Sequence, residues 1–273
     1  MNLSLEHRLL QTSHPDSTVL VLYVNRPTIV FGRNQNPWLE VNLGKLAAQQ
    51  GRVGLVRRRS GGGTVFHDEG NVNFGVICPP AVFDRDRHAE MVARALKTLG
   101  RPTARVNERH DIVVDVDDAP AGNRTRKVSG SAYKLTRLRS LHHGTCLVRS
   151  PNLGLISPLL RSPAEPYIKA RGVDSVRSPV ANVDLGIEEF KDAVVKEFEQ
   201  MYGELHVKEE FGDEVLQDES ISAGVKELGA REWLYGQTPK FAFSTSPTDE
   251  DPRERPGIST KVGVLALSGS DCD

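Results

Sequence analysis

The sequence predicts an α+β domain: a mixed, largely antiparallel sheet with flanking helices. Three observations carry that expectation. Short runs rich in β-branched and aromatic residues are separated by polar turns. Two longer segments place apolar residues at helical spacing and end on glycine. The 273 residues hold no internal repeat, and that length suits one large domain or two small ones.

Met1 leads directly into NLSLEHRLLQ, where Leu3, Leu5, Leu9 and Leu10 fall at roughly helical spacing. The chain is therefore expected to start inside a helix and to lack some N-terminal sequence. TVLVLYV (18–24) and TIVFG (28–32) read as strands split by the turn-prone Asn25-Arg26-Pro27. LGKLAAQQG (43–51) reads as a short helix ending at Gly51. A strand ending near Arg57 follows, then Ser60-Gly61-Gly62-Gly63, then the strand NVNFGVI (71–77).

The spacing predicts a helix over 84–99, with Met91, Val92, Ala95, Leu96 and Leu99 as its apolar face and Gly100 just past its end. HDIVVDV (110–116) is expected as a strand, and KVSGSAY (127–133) and HGTCLV (143–148) as a hairpin joined by a basic polar loop. Ser157-Pro158 reads as an N-cap followed by proline at the first helical position. Ile187, Phe190, Val194, Phe198 and Met201 predict a core-facing helix ending at Gly203. From about Ser244 the chain turns polar, Pro-rich and charged. The reading is thus one domain over 1–243 and a disordered tail over 244–273, with the terminal KVGVLALSGSDCD part of that tail.

With 38% hydrophobic and 26% charged residues, the composition is that of an ordinary soluble protein. A net charge of −1 supplies no global field towards nucleic acid or an anionic membrane, so neither is expected as a partner. Cys78, Cys146 and Cys272 form an odd set without metal-ligand spacing, which argues for a reducing compartment and against a structural zinc. No apolar run approaches the ~20 residues of a membrane span. No secretory signal or Arg/Ser-rich transit peptide is visible.

RRRSGGGTVFHDEGN (57–71) carries the most chemistry. Three glycines let the backbone approach a ligand closely, successive N–H groups in such a loop cradle an anion, and flanking arginines neutralise phosphate. The plainer alternative is a flexible turn beside a solvated charge run. In KVSGSAYK (127–134), Lys127 supplies a mobile point charge beside small residues; alone, it reads equally as an exposed strand-edge lysine. In HHG (142–144) the two histidines point to opposite faces of a strand, so they make a poor chelating pair, and one of them is expected to line a pocket.

Taken with GRNQNPWLEVN (32–42), RHDIVV (109–114), SVRSPVANV (175–183) and WLYGQTPKF (233–241), these segments occur in the order found in lipoate–protein ligases. The chain resembles that family, of eukaryotic mitochondrial type, over nearly all of residues 3–243. The resemblance implies the fold shared with biotin–protein ligases and class II tRNA synthetases. It also implies a two-step activity: lipoate and Mg2+-bound ATP give lipoyl-adenylate, and a lysine of an acceptor lipoyl domain then takes the acyl group. The biotin-type GRGRxG loop is absent.

By resemblance, Lys127 is the catalytic residue, bridging phosphate and acyl oxygen. The loop Ser60, Gly61, Gly62, Gly63, Thr64, Val65 and Phe66 and the side chain of Arg58 contact the nucleotide, with Ser129 beside them. His67, Asp111 and His143 position substrate or serve as structural polar groups, and Val65 and Phe66 wall a tunnel for the dithiolane and alkyl chain. No protein metal site is implied. Two departures stand out: Arg59 where bacterial members often carry a small residue, and His110 in place of a common Asn.

The implied partners are lipoyl domains of 2-oxoacid dehydrogenase complexes and the glycine-cleavage carrier protein, met transiently, and the implied location is mitochondrial. The resemblance implies a C-terminal accessory domain in bacterial ligases, which this chain is expected to end before. Two alternatives therefore stay open: an ATP-independent lipoyl or octanoyl transferase using a preactivated or protein-bound donor, and a non-catalytic fragment that binds lipoyl proteins.

Overall fold

The computed structural model describes residues 1–116, 124–249 and 251–256. It opens with α1 (Asn2–Thr12), which buries Leu5 and Leu10 but also Ser4 and Glu6. Strands β1 (Val19–Val24) and β2 (Thr28–Phe31) follow. The short helices α2 (Pro37–Glu40) and α3 (Leu43–Ala47) start on Asn36 and Asn42, whose side chains accept the N–H groups of Trp38 and Lys45. Strands β3 (Gly54–Arg57) and β4 (Val65–His67) flank the glycine loop and lead to β5 (Asn71–Cys78).

Helix α4 (Arg87–Thr98) precedes β6 (Arg105–Val106), β7 (Ile112–Asp115), β8 (Thr125–Ser129), β9 (Ser131–Leu135) and β10 (Ser140–Leu147). The remainder is α5 (Leu153–Leu159), β11 (Ile168–Ala170), α6 (Ile187–Tyr202), α7 (Glu219–Gly229), α8 (Arg231–Leu234) and β12 (Phe241–Phe243).

The main sheet has the order β1-β5-β10-β9, antiparallel throughout. Among the described residues β2 pairs with β3 in parallel and every other strand pairing is antiparallel, so the mixed, largely antiparallel α+β expectation holds. Strands β5 and β10 are buried along their whole length. One face, with Val72, Phe74, Val76 and Cys146, packs on Met91, Val92 and Leu96 of α4 and Phe190, Val194 and Phe198 of α6. Those helices present the apolar faces their spacing predicts, and Gly100 and Gly203 follow them with positive φ of 79° and 91°. The period of two sends the other set of side chains, Asn73 and His143 among them, towards α1 and the glycine loop.

Two expectations are corrected. KVSGSAY is two strands, not one arm of a hairpin: β8 pairs with β7, and only β9 pairs with β10. The chain changes sheets at Gly130, which is pinned by hydrogen bonds exchanged with Thr145. Pro158 lies inside α5 near its end instead of opening a helix. Its missing N–H leaves free the carbonyl of Gly154, an exposed residue whose carbonyl water can satisfy.

Residues 244–249 and 251–256 open the segment read from composition as a disordered tail. Within the described residues they fold back over β11: Asp251 pairs with Arg253 and Arg255, and Arg253 Nη2 donates to Ile168 O at 2.7 Å. Composition cannot see this local ion-pair cluster. The terminal KVGVLALSGSDCD run lies outside the described residues.

Candidate active site

Two buried arginines shape the loop between β3 and β4. Arg57, fully buried, donates to the carbonyls of Arg33, Gln35, Trp233 and Leu234 at 2.6–3.1 Å and so ties α8 to the end of β3 and to the loop after β2. Arg58 donates from Nε to Ser60 Oγ at 3.1 Å, and from Nη2 to Gly61 O at 2.5 Å and Gly63 O at 2.7 Å. Burial pushes both guanidinium groups down to about 10, so both stay charged at neutral pH. The donors of Arg58, expected on the nucleotide, are thus engaged by the loop's own carbonyls. The N–H groups of Gly61, Gly62 and Gly63 have no protein acceptor among the described residues. Gly62 has φ 84°, and a Cβ there would stand 2.9 Å from Arg58 Nη2.

Lys127, on β8, places its Nζ 2.8 Å from Asp111 Oδ1, while Arg109 Nε stands 3.7 Å from Asp111 Oδ2. Asp111 is fixed in turn by Asn107, whose Oδ1 accepts its N–H at 3.0 Å, through a turn in which His110 takes φ 61°. A Cβ on Gly130 would lie 2.9 Å from Lys127 Nζ, so the glycine leaves the space that the ammonium fills.

The strand parity anticipated for the paired histidines holds. His143 faces the loop, with Nδ1 2.8 Å from Glu6 Oε2 and Nε2 2.6 Å from Ser60 Oγ. His142 faces the helices, its ring 5.4 Å from that of His88 and 4.8 Å from that of Tyr133. His67 Nδ1 pairs with Asn25 Nδ2 at 2.9 Å. Burial first, then the charges of Arg58 and His143, pushes its pKa down to about 3. The ring is therefore neutral, with Nδ1 as acceptor and its proton on Nε2.

Two cavities meet at Lys127. The smaller, about 180 Å3, has Leu3, Tyr23, Val30, Val65 and Ala132 on its walls, with Arg58, Gly63, His67, Asp111 and His143 as polar or backbone elements. The larger, about 1090 Å3, runs between β8 and the α5–β11 segment past Phe66, Val128, Ser129, Leu147 and Ile156. Lys127, Thr64 and Val65 line both, whereas Ser60, Gly61 and Gly62 line neither.

Sequence reasoning missed several neighbours. Thr64 N–H donates to Ser175 Oγ at 2.7 Å, and Ser175 N–H to Glu40 Oε1 at 3.1 Å. Burial raises the pKa of Glu40. Glu40 and Ser175 lay inside quoted segments without being singled out, while Glu6 and Tyr23 carried no motif at all. Among the described residues no group of three or more His, Cys, Asp or Glu side chains is arranged to hold a metal. Cys78 and Cys146 are both buried, and burial raises both thiol pKa values, the opposite of an activated nucleophile.

Residues 1–199 match the model of the lipoyl protein ligase A/B catalytic domain. A relative from Schizosaccharomyces pombe is 39% identical over 271 residues, covering 91% of this chain and 71% of its own length. The lipoate-protein ligase A of Psychrobacter cryohalolentis is 36% identical over 251 residues, covering 88% and 70%. Among solved structures, P. falciparum LipL1 in complex with lipoate superposes with a TM-score of 0.66 at 26% identity, over 88% of this chain and 71% of that one. A lipoate-protein ligase A bound with ATP does so at 0.66 and 25%, over 86% and 93%.

Proposed function

The chain belongs to the lipoyl protein ligase A/B catalytic-domain family, and from that premise we propose that it is an ATP-dependent lipoate–protein ligase whose chemistry is centred on Lys127. The observation that carries this reading is the position of Lys127 where the two cavities join. Relatives hold lipoate in one structure and ATP in another. In this chain the apolar patch of the smaller cavity, formed by Leu3, Val30, Val65 and Ala132 within a mostly polar lining, is assigned to the dithiolane and alkyl chain, and the larger cavity to the nucleotide. The carboxylate and the α-phosphate then meet beside Lys127.

In the first step a carboxylate oxygen attacks the α-phosphorus, the bond to the bridging oxygen breaks, and pyrophosphate leaves. Lys127 swings from Asp111 to offset charge on the phosphate and the acyl oxygen, assisted by the amide of Gly63. In the second step the amine of the acceptor lysine attacks the acyl carbon, the carbonyl-to-phosphate bond breaks, AMP leaves, and the nitrogen loses its proton to water. Walls such as Val65 keep water from the mixed anhydride between the steps. With no protein cage for it among the described residues, Mg2+ fits this chain as an ion carried by the ATP phosphates, whose charge it offsets.

The acceptors in this reading are lipoyl domains of 2-oxoacid dehydrogenase complexes and the glycine-cleavage carrier protein, and the place of action is the mitochondrion. The burial of Cys78 and Cys146 favours a ligase over a transferase that forms an acyl-cysteine. Lipoate-dependent exchange of labelled pyrophosphate into ATP, with no acceptor present, tests the first step. Exchange is the expected result. A folded protein that exchanges nothing, yet transfers from synthetic lipoyl-adenylate, would make the chain a transferase.

A further inference from the structure

A chain of buried side chains runs from α1 to the glycine loop. Glu6 meets His143 at 2.8 Å, His143 meets Ser60 at 2.6 Å, Ser60 meets Arg58 Nε at 3.1 Å, and Arg58 closes on Gly61 O and Gly63 O. All four are buried, with Glu6 only 2% exposed. A Cβ on Gly75 would stand 2.6 Å from Glu6 Oε1, so β5 leaves room for the carboxylate at just this point.

His143 bridges the Glu6 carboxyl oxygen at Nδ1 and the Ser60 hydroxyl at Nε2. Arg58 Nε only donates, so Ser60 Oγ accepts there. These are the parts of an acyl-transfer triad, but Ser60 lines neither cavity. The hydroxyl therefore orients and does not attack.

We propose that Glu6 is a positioning residue for adenylate formation: through His143, Ser60 and Arg58 it sets the conformation of the loop that presents Gly63 and Thr64. This rests on the ligase reading. Without Glu6 the His143 ring is no longer held, the Ser60 hydroxyl is free to turn, and Arg58 loses its oriented acceptor. A displacement of about 1 Å at a reacting centre slows chemistry by on the order of 100-fold.

The test uses the full chain as wild type, Glu6→Ala, Glu6→Gln, Ser60→Ala and the Glu6→Ala/Ser60→Ala double variant. The readout is lipoate-dependent pyrophosphate exchange per folded molecule. Each alanine variant is expected to lower kcat about 10- to 100-fold with little change in the KM of ATP. The double variant is expected to be no slower than the slower single, because both break one chain. Glu6→Gln keeps an acceptor for His143 and is expected to recover most of the rate.

A wild-type kcat in folded Glu6→Ala, or single effects that multiply in the double variant, would overturn the proposal. Should Glu6→Ala not fold, a wild-type rate in Ser60→Ala overturns it alone. An effect confined to thermal stability, with kcat and KM unmoved, also overturns it. Absence of exchange in the wild type would instead count against the ligase reading.

Discussion

Lys127 and Asp111 form a 2.8 Å ion pair where the two cavities join. The carboxylate holds the cation in place before substrates arrive, and Lys127 exchanges that partner for phosphate during the reaction. Asp111→Asn leaves a largely buried ammonium with a weaker partner. We expect a loss of about 1–3 kcal/mol in urea unfolding, and an adenylation rate reduced less than by removing Lys127 itself.

Gly130→Ala places a methyl group 2.9 Å from Lys127 Nζ. The side chain must move aside, while the backbone hydrogen bonds of Gly130 to Thr145 remain available. The expected outcome is a fall in kcat on the order of 100-fold with near-normal unfolding behaviour. A wild-type rate would show that Lys127 works from another position.

Arg57→Lys should not rescue Arg57→Ala. The guanidinium reaches four backbone carbonyls and the Thr238 hydroxyl at once, a spread that three ammonium protons on a flexible stem do not match. Both variants are expected to lose about 3–5 kcal/mol in denaturant unfolding, with trypsin cutting earliest near the released segment around α8.

Acid should destabilise the fold before the carboxylates titrate. Burial keeps His67 neutral down to about 3 and His88 to about 4, and holds His142 well below its ordinary value. In the unfolded chain each binds a proton below about 6.5. The unfolded state therefore carries more protons through this window, so stability rises with pH and is lost as pH falls from 6.5 towards 4. Near pH 5 the three together give a slope of about 4 kcal/mol per pH unit. Urea unfolding at pH 7.5 and 5.0 measures it. His142→Phe, at a ring whose two nitrogens have no hydrogen-bond partner among the described residues, should remove roughly a third of the slope.

Much of this molecule is legible in its sequence, for local reasons. The apolar faces of α4 and α6, the β-branched runs of β1, β2 and β5, and the triple glycine each encode their structure within a few residues. Strand parity put His142 and His143 on opposite faces, and the family resemblance singled out His143 as the one at the site. What escaped depends on distant partners. Glu6 gains its meaning from a histidine 137 positions away, and in isolation it is one acidic residue on a helix. The sheet change at Gly130 is invisible because β8 and β9 are equally strand-like, and only Thr145 on β10 shows where the chain crosses. For Arg58 the sequence shows the charge but not the carbonyls that surround it in the fold.

The proposed role of Lys127 in lipoyl attachment rests on its place where the two cavities join. The most direct measurement is the mass of an apo lipoyl domain incubated with lipoate, Mg2+ and ATP, using wild-type protein and Lys127→Ala. The expected result is a gain of one lipoyl group per acceptor domain with the wild type, and a rate lower by on the order of 100- to 1000-fold with the folded variant. An unchanged rate in Lys127→Ala, or no added mass with folded wild-type protein, would contradict it.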